Sequence, residues 1–414
     1  MLDNSHKINV LFVSIAFPPK SDSEGLQVAK YYKYLQRDNS LNIDVITSGD
    51  KTLFMPIDEN LKSISSGYKQ IIKIPIFENK YINYLLRKIN PNILNYPDSK
   101  YRFHKKWKKV INQLQSKPDI IYSRSFPISS TVMAYRLQTE LDIPWILHLS
   151  DPWTVSPIHQ LGTAKAWNNE MESKCFKKAN ILTFTSLKTI ELYAKKYPEL
   201  ADKMVLSPNV FDLEDKKDFT FKLKNKISVV YTGGLVDKRS PETFFEAIIE
   251  LNKTSPEIIS DFEFVFAGAL DRKNKALFKN NIPSVQHKGL LSYKDAISLQ
   301  EQADILLIID TPFENSNEAI FFPSKLLDYM MMQRRIIALT DKNSTTWDVV
   351  DKKLGDCFIH RDIKMIKKAI VSSWNAWKNQ DVAYFFNNKL DFRYSAKKNA
   401  KDLSKLFKKV LNEI

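Results

Sequence analysis

Past the midpoint of the chain, the stretch ISVVYTGG, Ile227–Gly234, runs a short apolar segment straight into two glycines. Helical spacing follows from Pro241 to Leu251, and then a second apolar run, Phe262–Ala267. An unbroken apolar run, a helix and a second such run form the repeating unit of a parallel sheet covered by helices on both faces. The chain begins in the same way. INVLFVS (Ile8–Ser14) leads into a proline-rich loop, helical spacing over Leu26–Leu35 and the strand Ile43–Thr47. Asp119–Tyr122, Trp145–Leu149, Ile181–Thr185 and Met204–Leu206 continue the first half, with a helix over Ser129–Glu140; Val285–His287, Ile305–Ile309 and Ile336–Leu339 continue the second. The pattern predicts an α/β protein of two doubly wound halves, with functional loops at the carboxyl edges of the strands. Asp215–Lys226, rich in Lys and Asp, reads as the linker, and Ala383–Ile414, which has neither Gly nor Pro, as a helical tail.

Composition bounds the partners. The 414 residues, 43% hydrophobic, suffice for two or three domains. Cys175 and Cys357 lack metal-type spacing and form no disulfide framework, which fits a reducing cytoplasm. The amino-terminal apolar run ends in Pro-Pro and falls short of the roughly 20 residues that span a bilayer, as does every later segment. The formal charge of +15 and a pI near 9.4 call for an anionic partner. Bases concentrate between Lys80 and Lys117: Arg87, Lys88, Lys100, Arg102, Lys105, Lys106, Lys108 and Lys109 lie between them, against the single acid Asp98. Tyr81, Tyr84, Tyr101, Phe103 and Trp107 are interleaved, a composition suited to a helix on an anionic membrane surface or to a solvated basic face with aromatics in the core. No nucleic-acid-binding motif accompanies the charge.

FFPSKLLDYMMMQRRIIAL, Phe321–Leu339, starts a helix at Pro323 and Ser324, with Ser324 expected as the N-cap. Lys325 then faces the positive end of the helix dipole, which costs up to about 1 kcal/mol unless an anion lies between the cation and the free amides. Asp328, three residues on, shares its side of the helix, so a phosphate and a sugar hydroxyl could be held together. A solvated Lys–Asp pair is the alternative.

These landmarks, with FPPKSDSEG, PDIIYSRS, IPWILHLSDPW, FKKANILTFTS, LSPNVFD, VVYTGGLVDKRSP, FVFAG, KGLLSYKDA, QADILLII and FPSKLLDYM in that order over nearly the whole chain, resemble retaining glycosyltransferases of family 4. The resemblance implies the GT-B fold: two Rossmann-like domains, 1–214 for the acceptor and 215–382 for the nucleotide sugar, with a cleft between them and terminal helices 383–414 crossing back to the first. It also implies transfer of a sugar from a UDP- or GDP-linked donor to an acceptor hydroxyl, with no metal or other cofactor, in bacterial capsule, lipopolysaccharide or other surface polysaccharide synthesis. The acceptor would be a glycan or lipid-linked, and the protein cytoplasmic or peripheral on the cytoplasmic face of the membrane. A non-hydrolysing nucleotide-sugar epimerase and a sugar-nucleotide-binding pseudoenzyme are the rival readings.

By resemblance, Lys325 and Arg239 neutralise the donor diphosphate with the amides of Gly233 and Gly234, and Asp328 stands where the family has a Glu for the ribose hydroxyls. Leu290 falls beside the nucleotide base, Ser324 at the phosphate end of the helix, and Gly25 in the turn that approaches the diphosphate. The family's second Glu, which meets the donor sugar, is replaced by Ile320, leaving Glu318 or Glu314 to substitute. Glu24 stands where a second glycine is common and would add negative charge beside the phosphates. Asp151, at the carboxyl end of a strand, is the candidate to bind or deprotonate the acceptor hydroxyl, with His148 as alternative; Asn209 and Lys238 are further candidates.

Overall fold

The computed structural model describes residues 7–413 apart from 51, 54, 65, 157–160, 216–220, 316–318, 352 and 387–389. It divides into two compact units, one of Met1–Asp212 with Arg393–Ile414 and one of Leu213–Phe392.

In the first unit seven strands form a parallel sheet: β1 (Ile8–Val13), β2 (Leu41–Ser48), β3 (Gln70–Ile74), β4 (Ile120–Ser125), β5 (Trp145–Leu149), β6 (Ile181–Phe184) and β7 (Met204–Leu206), in the order β3-β2-β1-β4-β5-β6-β7. β1 shows why its run is unbroken. Leu11 and Val13 enter one apolar cluster and Ile8, Val10 and Phe12 the other, so both faces of the strand are buried. Helix α1 (Ser23–Leu35) covers one face with Val28, Tyr31 and Tyr32. The terminal helix Ala396–Asn412 adds Leu403, Phe407 and Val410 to the same cluster. Backbone bonds from Phe211 N to Tyr394 O (2.9 Å) and from Ala396 N to Phe211 O (2.9 Å) anchor the returning chain.

The second unit repeats the design with β8 (Ile227–Thr232), β9 (Phe262–Ala267), β10 (Val285–His287), β11 (Ile305–Ile309), β12 (Arg335–Leu339) and β13 (Gly355–Phe358), ordered β10-β9-β8-β11-β12-β13 and parallel throughout. The strand order reverses direction between β8 and β11, which makes their carboxyl ends the place where a doubly wound sheet binds ligands. Two strands are absent from the sequence reading. β3 is a sheet edge of alternating burial with lysine in it, and β13, GDCF, carries no β-branched residue.

Candidate functional site

The carboxyl end of β8 is built around the absence of a side chain. Gly233 has φ +132°, and a Cβ there would come within 2.6 Å of Lys325 Nζ. A Cβ on Gly268 (φ +138°), at the end of β9, would collide with the Gly233 carbonyl. Gly233 N donates to Ala267 O at 2.8 Å, so the two loops run side by side in close contact.

Lys325 reaches this glycine turn from the helix Ser324–Met332. Its Nζ donates to Tyr231 Oη at 2.9 Å and lies 4.1 Å from the Tyr231 ring centroid; Tyr231 Oη in turn donates to Gly234 O at 3.0 Å. The helix is held in place one turn later by buried Tyr329, whose Oη accepts from Thr232 N (3.0 Å) and donates to Leu307 O (3.3 Å), tying it to both β8 and β11. Pro323, not Ser324, occupies the N-cap, and Ser324 is the first helical residue. Proline fixes the entering backbone without a side-chain cap, which corrects the expectation from the sequence. Asp328, half-buried, accepts from Tyr293 Oη at 3.3 Å.

Electrostatically, burial pulls the Lys325 ammonium down to about 7. The Arg239 guanidinium pushes the same way and the Asp310 carboxylate opposes it. Arg239 Nε is buried without a hydrogen-bond partner among the described residues. Two cations held beside each other at low polarity favour an anion that neutralises both, and a diphosphate is such a group. Asp310, which follows β11 and accepts from Thr340 Oγ1 at 2.7 Å, acts electrostatically on both Lys325 and His360, and Arg239 acts on the same two groups, the His360 ring being pulled down chiefly by burial. Neither Asp310 nor His360 was singled out from the sequence, although the position of Asp310 directly after the switch-point strand was the available signal. Tyr231 and Tyr329 read there as core positions of strand and helix. Leu290, after Gly289, is 81% exposed. Ile320 is buried, with its carbonyl accepting from Thr345 Oγ1 at 3.1 Å, so its side chain offers the donor sugar no polar contact. Glu318 lies outside the described residues, and Glu314 is an exposed partner of Lys238 at 3.9 Å.

The first unit places its candidates separately. Gly25 lies in the first turn of α1, where a Cβ would meet the Lys20 carbonyl, so glycine is demanded by the loop's own packing. Glu24, expected from the sequence to add negative charge beside the phosphates, is turned inward instead. It accepts from Arg124 Nε at 2.7 Å and Ser150 Oγ at 2.5 Å inside the unit, and burial pushes its carboxyl up to about 7. Arg124 also donates to Asn209 Oδ1 at 3.4 Å. Asp151 follows β5 half-buried, and burial raises its carboxyl to about 6, within the range of a general base. His148 is fully buried between strands, its Nδ1 3.0 Å from Thr183 Oγ1. Behind this loop Glu172, fully buried, gathers Thr154 N, Lys196 Nζ, Tyr193 Oη and Tyr197 Oη at 2.7 to 3.0 Å, fixing the DPW turn.

The structure splits the basic segment. Phe103 is core, Trp107 packs against the core, and Lys100 is buried in an ion pair with Glu78 at 2.6 Å, so these three do not serve a surface.

No family model matches the chain, and no curated protein matches it by sequence. Solved structures do match it in three dimensions. Sucrose-phosphate synthase from Thermosynechococcus elongatus superposes over 99% of this chain and 100% of its own, with a TM-score of 0.64 at 12% identity. The lipopolysaccharide outer core galactosyltransferase WaaB covers 96% and 100%, TM-score 0.57, 13% identity. The fold is GT-B. A putative UDP-N-acetylglucosamine 2-epimerase from Listeria monocytogenes shares it too, over 99% and 97%, TM-score 0.56, 12% identity. GT-B architecture therefore frames the site without by itself choosing a reaction. Among the described residues no group of His, Cys, Asp or Glu could hold a metal ion, and no helix is long and apolar enough to cross a membrane.

Proposed function

We propose that this chain is a retaining glycosyltransferase that moves a sugar from a nucleoside diphosphate donor to an acceptor hydroxyl in the synthesis of a surface polysaccharide, capsule or lipopolysaccharide. The observation that carries the proposal is the convergence of Lys325 on the glycine end of β8, beside Arg239 and one helical turn from Asp328. In this reading Lys325 and Arg239 stabilise the departing diphosphate, the Gly233–Gly234 turn admits it closely, and Asp328 accepts from the ribose hydroxyls. This reading does not route the reaction through a double displacement by a pair of carboxylates. The acceptor proton passes to the leaving diphosphate on the face it departs from, with Asp151 of the first unit orienting the acceptor hydroxyl. WaaB, a galactosyltransferase by name, supports transfer as the chemistry, and the two cations make a metal unnecessary for charge stabilisation.

Because an epimerase shares the fold, the test runs a panel of UDP- and GDP-sugars with and without glycan acceptors, followed by mass spectrometry. Nucleoside diphosphate released together with a glycosylated acceptor is the expected result. Epimerisation of donor incubated alone overturns the reading in favour of an epimerase. Tight binding without turnover on any acceptor overturns it in favour of a pseudoenzyme.

A further inference from the structure

Helix α2 (Lys80–Ile89) has no buried residue. Tyr81, Ile82, Leu85 and Ile89 form one stripe along it and are 68, 43, 58 and 81% exposed. A ten-residue helix gains little from propensity alone, so in most proteins an apolar stripe of this kind is stabilised by something packed on it. The Asn79 side chain caps the helix, accepting from Tyr81 N at 2.9 Å, and so presents the stripe in a defined orientation.

Immediately before the helix, Pro75, Ile76 and Phe77 form the apolar wall of a groove of about 610 Å³ whose other wall is Arg102, Lys105 and Lys106. Arg102 donates to Phe77 O at 3.4 Å and lies over the Phe77 ring, 5.7 Å from its centroid, while Lys105 lies over Tyr101 at 4.8 Å. Lys80 and Lys88 lie over Tyr81 and Tyr84 in the same way. The acids of this region do not offset these charges at the surface. Glu78 is buried against Lys100, and Asp98 is turned inward to the amide and hydroxyl of Ser129 at 2.8 and 2.7 Å.

We propose that this face of the first unit docks on an anionic phospholipid surface. The stripe of α2 enters the boundary between headgroups and acyl chains, and the Arg102–Lys105–Lys106 groove takes lipid phosphates. Exposed aliphatic side chains beside unopposed cations and ring-paired lysines match that interface in both polarity and charge. The surface is independent of the donor site, so an inactive protein that binds vesicles still supports it.

The test is co-sedimentation of the full chain with phosphatidylglycerol–phosphatidylcholine vesicles, alongside light scattering of the protein alone. Binding at low ionic strength that weakens as salt rises is expected, since exposed charges are screened beyond about 8 Å in physiological salt. Ile82→Gln/Leu85→Gln/Ile89→Gln and Arg102→Gln/Lys105→Gln/Lys106→Gln should each lower partitioning by at least about tenfold. Unchanged circular dichroism and nucleoside diphosphate affinity in both variants would show that folding is intact. Three results overturn the proposal: wild-type protein that stays in the supernatant at low salt, an apolar-stripe variant that binds as well as wild type, or a dimer in solution that this variant dissociates, which assigns the stripe to a second copy of the chain.

Discussion

Gly233 and Lys325 are complementary: the lysine ammonium occupies the volume that the first carbon of any side chain at 233 would claim, 2.6 Å away. Gly233→Ala therefore meets both a displaced cation and a backbone at φ +132°, a conformation that costs an alanine about 1–3 kcal/mol. The expected outcome is a lowered melting temperature together with nucleoside diphosphate affinity weakened at least about tenfold, read by calorimetry. Full affinity in this variant would remove the glycine from the site.

Lys325→Ala removes one of the two cations from a polar but enclosed place. Loss of more than about 1 kcal/mol of nucleoside diphosphate binding is expected, with little change in the unfolding midpoint, because the ammonium's internal partner is a neutral tyrosine hydroxyl. Unchanged affinity would return Lys325 to a purely structural role.

Binding should depend on pH through the same residue. The free protein holds Lys325 near 7, so above that pH the amine is largely neutral, and an arriving diphosphate must recruit a proton to it. Affinity then falls as pH rises through about 7, by up to about tenfold per pH unit, and Lys325→Met flattens that dependence. A wild-type profile parallel to that of the methionine variant contradicts the assignment.

Asp328→Asn keeps the shape and exchanges two acceptor oxygens for one acceptor and one donor. The expected result is loss of most transferase activity with KM for the donor raised about tenfold, and Tyr293→Phe, which removes a hydroxyl bonded to Asp328 Oδ1, should have a smaller effect of the same kind. Normal turnover by purified Asp328→Asn would end the ribose assignment.

Glu172→Ala removes the acceptor shared by Lys196 Nζ, Tyr193 Oη, Tyr197 Oη and the amide of Thr154, leaving Lys196 its bond to Asn169 Oδ1. Removing this buried carboxylate and the hydrogen bonds it accepts costs about 3 kcal/mol, which urea titration followed by tryptophan fluorescence should show through Trp153, whose amide is bonded to Tyr193 Oη.

The strand runs were legible because parallel strands buried on both faces must be largely apolar, and β5, β9 and β11 begin and end where the residues say they should. β3 and β13 were not legible, since an edge strand and a four-residue strand carry too little of that signal. In the candidate site, Lys325, Asp328 and the glycines stood out because each breaks a local rule: a cation at a helix start, a carboxylate on an otherwise apolar helix, glycines directly after a strand; Arg239 was reached only through the family resemblance. Tyr231, Tyr329 and His360 obey their local rules and so gave no warning, and the signal of Asp310 lay only in its place after the switch-point strand.

Local pattern and covalent preference were enough to specify two doubly wound sheets, their order along the chain and the loops at their carboxyl ends, because these depend on periodicity and on which φ values a residue tolerates. Which side chains then meet depended on packing between segments remote in sequence. Lys325 meets Tyr231 across 94 residues, and Glu24 is neutralised by Arg124 across 100. Burial of Glu24, Lys325 and Asp151 shifts each of them toward neutrality, and a desolvation cost of that kind belongs to the folded surroundings of a residue, not to its neighbours along the chain.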